Sequence, residues 1–162
     1  MNQQILAIRN FEIMNSQTIE TTVQDNVKVV QQVYAALSKG DIPTVLSLLA
    51  DDVEWSMPHP QEIVPYGGKW QGREEVARFF SVMHDHAEFQ QVQLQEYIAQ
   101  NDKVIVLGHI KVKAQPGGHA GSPSAHRQYE NDLVAVWTIQ NGKVKQMRDF
   151  MDTVPAIEAF SS

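Results

Sequence analysis

Two acidic residues near the end of this 162-residue sequence lie in an apolar context. Residues 143–152 follow an Asn-Gly turn and are predicted to form a strand, in which Met147, Asp149 and Met151 share one face. A carboxylate between two methionines costs several kcal/mol to bury, at order of magnitude, unless it is paired or neutral. Asp149 is therefore either a structural acid with a partner, such as a cation or a Tyr hydroxyl, or a base with a raised pKa in an apolar pocket.

Two further residues could take part in the same acid–base chemistry. Asp152, close to the end of the same predicted strand, is a second candidate acid, although an acid at such a place often caps a turn. His109 alternates with Lys111 and Lys113, which favours an outward or rim-facing position. The opposite register would place His109 in the pocket as the imidazole partner of Asp149.

The other histidines carry weaker signals. His59 lies between Pro58 and Pro60 and is expected to be exposed in a loop. His84 and His86 are two residues apart near a predicted helix end, which is the wrong spacing for one helical face, so we expect no metal site. The sequence contains no cysteine, which excludes disulfides, a thiolate nucleophile and Cys-based metal ligation. We expect no cofactor.

The composition favours one globular domain. Hydrophobic residues make up 43% and charged residues 20% of the chain, and the formal net charge of −6 argues against nucleic-acid binding. No run approaches the roughly 18 apolar residues of a membrane span, and the N-terminus does not resemble a signal peptide, so we expect no membrane partner and a cytoplasmic location. We predict an N-terminal extension over residues 1–20 and a single domain over residues 21–160.

The periodicity of apolar residues predicts helices first and strands last. The first helix is expected from about Thr22 to Lys39, the second after an Asp41 cap, and the third over about 73–84. Strands are predicted over 53–57, 87–99, 103–114, 126–139 and 143–152, with tight turns at 101–102 and 141–142 and loops over 65–72 and 115–125. This order indicates an α+β fold with a curved antiparallel sheet wrapped on helices.

Several short motifs accompany this order of elements. They are Gly-Asp at 40–41, Leu-Ala-Asp-Asp at 49–52, Gly-Arg-Glu-Glu-Val at 72–76 and the terminal Asn-Gly-Lys-Val and Arg-Asp-Phe-Met-Asp-Thr. With them, residues 23–157 resemble the SnoaL-like family of the nuclear-transport-factor-2-like superfamily, to which ketosteroid isomerases and limonene-epoxide hydrolases are related. The resemblance implies a cone-shaped sheet that encloses an apolar cavity, a small apolar ligand and a homodimer.

The ketosteroid isomerase site is matched only in part. The position of the isomerases' aspartate base corresponds to Met57, and that of their helix-1 tyrosine lies near Val33, one residue from Tyr34. Their buried acid corresponds to Asp132 or Leu133. The resemblance therefore does not imply steroid isomerisation by that set of residues.

The limonene-epoxide hydrolases match better at the last strand. Their water-activating aspartate corresponds to Asp149, but their strand-1 tyrosine corresponds to Trp55 and their water-holding asparagine to Met57. Their arginine and second aspartate fall around 108–111, where neither residue type is present. In SnoaL-type cyclases the acid near the end of the last strand corresponds to Asp152. The candidate catalytic residues are thus Asp149, Asp152 and His109.

The resemblance also implies a ligand-contacting set. Trp55, Met57 and Tyr66 belong to segments that border the cavity in the family. Because side chains alternate along a strand, only one of Asn131 and Asp132 can face the cavity, and we favour Asn131. The predicted substrate-binding residues are Trp55, Met57, Tyr66, Asn131, Leu133, Met147 and Met151. Three functions remain open: an isomerase, cyclase or hydrolase with Asp149 as base, a non-catalytic carrier of an apolar ligand, or an interaction module.

Overall fold

The computed structural model describes residues 3–161, and for residues 17–21 it describes the backbone only. Four α-helices and six strands are found in this range. In chain order these are α1 (Gln3–Ser38), α2 (Ile42–Ser47), β1 (Leu49–Met57), β2 (Gly68–Gln71), α3 (Gly72–His86), β3 (Ala87–Gln100), β4 (Lys103–Ala114), β5 (Arg127–Gln140), β6 (Lys143–Phe150) and α4 (Val154–Ser161), with a short 3-10 helix, Pro123–Ala125, between β4 and β5.

The first helix is longer than the sequence pattern indicates. It begins at Gln3 rather than near Thr22 and continues through the boundary predicted at residue 20, while the side chains of residues 3–16 are exposed. Its end is as predicted, because Gly40 takes a left-handed conformation (φ +67°) directly after the helix. Asp41 then caps α2, accepting a hydrogen bond from the Thr44 backbone N–H at 3.2 Å.

The six strands form one curved sheet in the order β2-β1-β6-β5-β4-β3. Strands β3 to β6 pair as an antiparallel meander, as predicted, through turns in which Asn101 and Asn141 adopt positive φ. The pairing of β1 with β6 is parallel, which the prediction of a wholly antiparallel sheet missed. This pairing places Trp55 beside Met147 and so brings the predicted first and last strands together.

Two elements were not predicted from the sequence. The segment 65–72, expected to be a loop, contains β2, in which buried Trp70 pairs with Trp55. Helix α4 follows β6, which ends at Phe150 rather than at 152, and buries Ala156, Ala159 and Phe160. Both elements are short, so neither has enough residues to show a periodic pattern.

The sheet has a concave face that packs on the helices and a convex face that is more exposed. In β4 the even-numbered residues are buried and the odd-numbered residues are exposed to varying degrees. Helix α3 covers the concave face with Val76, Phe79 and Phe80. Among the helices of residues 3–161, none has an apolar stretch that would reach across a lipid bilayer.

Candidate active site

A cavity of about 970 Å³ lies between the concave face of the sheet and helices α1 and α3. Much of its lining is aromatic. Trp55 packs edge-to-face against Phe80 and Trp137, with ring centroids 5.3 and 5.5 Å apart. A space of this size and lining suits a small apolar ligand of one to a few rings.

Asp149 reaches this cavity from β6. Its side chain is half-buried and lines the cavity together with those of Met147 and Met151, so the predicted alternation is confirmed. Among the described residues, the Asp149 carboxylate has neither a hydrogen-bond partner nor an ion-pair partner, and the structural-acid alternative therefore lacks support. Burial raises the pKa of Asp149 to about 7 because the charged form loses solvation.

Tyr34 lines the same cavity from α1. Burial raises the pKa of its hydroxyl above the usual value, the negative charge of Asp149 raises it further, and the Trp137 indole opposes both effects. Tyr34 therefore remains a protonated hydrogen-bond donor beside an acid that ionises near neutrality. The sequence comparison had placed Val33 at this position, but Val33 is fully buried in the core and the neighbouring residue faces the cavity.

His59 is a site residue whose burial the sequence pattern did not predict. It was expected in an exposed loop, but its exposed fraction is 3%, and it lines the cavity. The cause is a close backbone contact, because a Cβ atom on Gly67 would lie 2.3 Å from the His59 carbonyl oxygen, so only glycine lets the β1–β2 loop fold back here. Burial lowers the pKa of His59, and neither ring nitrogen has a hydrogen-bond partner among the described residues.

A pair of tyrosines lines another part of the cavity. The hydroxyl oxygens of Tyr66 and Tyr129 lie 3.4 Å apart, and burial raises the pKa of both. Tyr66 was predicted to line the cavity, whereas Tyr129, on β5, was not singled out. Strand alternation from Leu133 could have identified Tyr129, since the two residues are four apart on one face.

Most of the predicted ligand-contacting residues lie where they were expected. Six line the cavity: Trp55, Met57, Tyr66, Leu133, Met147 and Met151. Asn131 faces inward, as favoured over Asp132, but it does not line the cavity and instead donates a hydrogen bond from Nδ2 to the Asp152 backbone oxygen at 2.6 Å. Ligand contact by the six lining residues stays a prediction.

Two of the candidate catalytic residues are not in the cavity. His109 lies on the convex face, where its Nδ1 atom is 2.7 Å from Oδ1 of its cross-strand neighbour Asp132. The strand register places Gly108 and Ile110 on the concave face, so His109 cannot be the imidazole partner of Asp149. Asp152 is exposed and accepts a hydrogen bond from the Val154 backbone N–H at 3.0 Å, which caps the start of α4.

His84 and His119 lie at the cavity rim, with ring centroids 5.3 Å apart. Asp85 holds the 115–125 loop there by accepting hydrogen bonds from the His119 backbone N–H at 3.0 Å and from its ring at 2.8 Å. In the part of the chain that the structure describes, no group of three or more His, Asp or Glu side chains could hold a metal ion.

The comparisons with known proteins agree with this geometry. The model of the SnoaL-like domain family matches residues 30–147, and the chain belongs to this family. A nuclear-transport-factor-2-like protein from Burkholderia xenovorans LB400 is 26% identical, with a TM-score of 0.71 over 85% of this chain and 97% of that one.

Two more solved structures are similar over most of the chain. A nuclear-transport-factor-2-like protein of unknown function from Burkholderia pseudomallei K96243 is 30% identical, with a TM-score of 0.70 over 85% of this chain and 98% of that one. TerC, crystallised with polyporic acid, is 28% identical, with a TM-score of 0.64 over 85% and 99% of the two chains. A comparison with functionally curated proteins finds no match.

Proposed function

We propose that this protein binds a small aromatic or otherwise apolar metabolite in the cavity and catalyses proton transfer on it, with Asp149 as the general base. The observation that carries the proposal is a carboxylate that lines a mainly apolar cavity and has no partner in the part of the chain that the structure describes. Burial brings the pKa of Asp149 to about 7, so about half of the molecules carry the basic form at neutral pH. When the pKa of a base is near the working pH, a large fraction of the base is ionised and its affinity for a proton is still high.

The proton transfer follows from the positions of Asp149 and Tyr34. Ionised Asp149 removes a proton from a carbon next to a substrate carbonyl, and the electrons of the broken C–H bond move to the carbonyl oxygen to form an enolate. Tyr34, whose raised pKa keeps it protonated, donates a hydrogen bond to that oxygen. In an isomerisation, protonated Asp149 returns the proton to the far carbon of a conjugated enolate. In a cyclisation, the enolate carbon attacks a second carbonyl, the C=O electrons of that carbonyl move to its oxygen, and protonated Asp149 gives its proton to the resulting alkoxide.

Chemistry on the substrate fits this cavity better than water activation. Met57 occupies the position at which the related epoxide hydrolases hold the water with asparagine, and a thioether is a poor ligand for water. We therefore propose an isomerase or cyclase activity rather than hydrolysis. The similarity to TerC, which was crystallised with polyporic acid, supports an aromatic ligand.

A carrier function is the second candidate. It is favoured by the size of the cavity and by the mainly apolar surface of its lining. A carrier would hold an apolar ligand without changing it, and Asp149 would then have little effect on affinity.

A nitrobenzisoxazole tests the base directly, because this aromatic carbon acid opens when its C–H proton is removed. The C–H electrons form a nitrile, the N–O bond breaks, and a coloured phenolate is released. We expect the wild-type protein to accelerate the reaction with a rate that rises through pH 7. Asp149→Asn should lower the rate about 10²–10⁴-fold.

Asp152→Asn and Asp132→Asn are the matched controls, since both carboxylates lie outside the cavity; both variants should keep the wild-type rate. A rate that persists in Asp149→Asn, or that follows a pKa near 4, would show that Asp149 is not the base. Binding of the probe without turnover would favour the carrier.

We also propose that this protein is cytoplasmic and forms a homodimer, as the family resemblance implies. We place the dimer interface on the convex face. Val134 and Phe150 are cross-strand neighbours on this face and are 36% and 43% exposed. Lys111 and Glu130, also cross-strand neighbours, supply both signs of charge to the same face, which a second copy can match by symmetry. Sedimentation equilibrium of wild type and Phe150→Glu tests this: the wild type should be dimeric and the variant monomeric, and a monomeric wild type would refute the dimer.

A further inference from the structure

Two of the polar groups that line the cavity lie far apart along the direction of β5. The register pairs Asp149 with Ala135 across β5 and β6, and Tyr129 lies six residues from Ala135 on the same face of β5. Six residues of strand correspond to about 20 Å along the backbone. Tyr34 and Asp149 therefore lie toward one end of the cavity, and the Tyr66–Tyr129 hydroxyl pair lies toward the other.

The tyrosine pair retains hydrogen-bonding capacity. Two hydroxyls that share one hydrogen bond leave one O–H proton unused, and no other partner for the Tyr66 or Tyr129 hydroxyl is found among the described residues. Buried hydroxyls without all their partners cost free energy, which a ligand oxygen would recover.

Gln115 adds a second unsatisfied group at this end. It follows β4, whose Val112 pairs with Tyr129, and its own side chain lines the cavity. Its exposed fraction is 8%, and its Oε1 atom has no hydrogen-bond partner among the described residues. The far end of the cavity thus offers a hydrogen-bond donor from a tyrosine and an acceptor from Gln115, which is the complement of a hydroxyl group.

Apolar side chains separate the two polar ends. Between Ala135 and Tyr129 on the concave face of β5 lie Leu133, which lines the cavity, and Asn131, which does not line it and bonds to the Asp152 carbonyl. Met151 and Phe79 add further apolar lining. A ligand that contacts both ends must carry an apolar body longer than a single aromatic ring.

We infer that the substrate is an elongated, bifunctional aromatic compound, with the reacting group at Asp149 and a hydroxyl group held at the far end by Tyr66, Tyr129 and Gln115. This inference rests on the proposed function, and it assigns to Tyr129 and Gln115 a role in substrate specificity. The remote hydroxyl selects the substrate by its length and does not take part in the proton transfer.

Two probes that differ in one hydroxyl group test the inference. The first is a biphenyl diol with a hydroxyl group at each end, and the second is the corresponding mono-alcohol, which has a hydroxyl group at one end only. Titration calorimetry on the wild-type protein should show the diol binding about 5–10-fold tighter, as expected for one additional satisfied hydrogen bond. Tyr129→Phe should remove this preference while leaving the affinity for the mono-alcohol unchanged. Gln115→Met, which keeps the side-chain length without the amide, should reduce the preference in the same direction.

Tyr97→Phe is the matched control, because Tyr97 lies on β3 and does not line the cavity; it should keep the preference. Equal binding of the two probes to the wild type, failure of both to bind, or a preference that survives Tyr129→Phe would overturn the inference. If Tyr129→Phe fails to fold, as thermal melting would show, Gln115→Met decides alone.

The two proposals fail in different assays. Asp149→Asn should retain the preference for the diol while losing turnover of the nitrobenzisoxazole. A preference for the diol without base catalysis would therefore refute the proposed reaction and support the far-end site. Base catalysis without a preference for the diol would support the proposed reaction and refute the far-end site.

Discussion

The two faces of the sheet place an aspartate in opposite environments, one solvated and one desolvated. On the convex face, the Asp132 side chain is 88% exposed and lies 2.7 Å from the imidazole of His109. On the concave face, Asp149 has no partner among the described residues, and burial raises its pKa to about 7. The face on which a carboxylate lies, rather than its residue type, thus decides whether the carboxylate stays solvated beside a histidine or is desolvated with a raised pKa.

The largest expected effect is on the pH dependence of the free energy of unfolding, to which Asp149 contributes and Asp132 does not. Folded Asp149 binds its proton up to about pH 7, whereas the unfolded chain releases it near pH 4, so the stability of the wild type falls as pH rises through this window. Asp149→Asn carries no ionisable group and escapes this loss. The variant should exceed the wild type in free energy of unfolding by at most about 4 kcal/mol at pH 8, with the difference vanishing near pH 4.

Urea unfolding at pH 5 and pH 8 measures this difference. Asp132→Asn is the control and should show no comparable gain, because its carboxylate stays hydrated in the folded protein. A loss of stability in Asp149→Asn at every pH would mean that the carboxylate holds the fold together, and the contrast between the two faces would no longer apply.

An intermediate effect compares two neighbours on β5 that point to opposite faces. Asn131 is 8% exposed and donates a hydrogen bond to the Asp152 carbonyl, which joins β5 to the residues that precede α4. Asn131→Ala leaves this acceptor without its donor, so the free energy of unfolding should fall by about 1–3 kcal/mol. Chemical denaturation at pH 7 tests this, with Asp132→Ala expected to cost less than about 1 kcal/mol. Equal losses in the two variants would contradict the assignment of faces.

The smallest expected effect concerns His109. Its hydrogen bond with Asp132 is accessible to water, and such exposed polar contacts contribute between about 0 and 1 kcal/mol. His109→Gln should therefore change the free energy of unfolding by less than about 1 kcal/mol and leave the nitrobenzisoxazole rate unchanged. A large loss of rate in this variant would mean that His109 affects the reaction, and it would contradict the functional separation of the convex and concave faces.

Elements with a clear local pattern could be predicted from the sequence, whereas the part of α1 before Thr22, strand β2 and helix α4 could not. The meander of β3 to β6 and the cap at Asp41 follow from alternation, Asn turns and capping chemistry, which act within a few residues. Strand β2 and helix α4 are too short for periodicity, and their formation depends on burying Trp70 and Phe160 against distant parts of the chain. The same limit applies to His59, whose inward position depends on the contact between its carbonyl and Gly67.

The sequence by itself determined the α+β class, the family resemblance and the face shared by Met147, Asp149 and Met151, because each depends on residue types at fixed short spacings. Only the tertiary structure decided that Asp149 has no partner within residues 3–161 as described, that Tyr34 rather than Val33 lines its cavity, and that His109 and Asp152 lie outside that cavity. Partnership and burial depend on residues far apart in the chain, and a shift of one residue in a strand reverses the face. These properties arise only when the parallel pairing of β1 with β6 and the packing of α1 and α3 close the cavity.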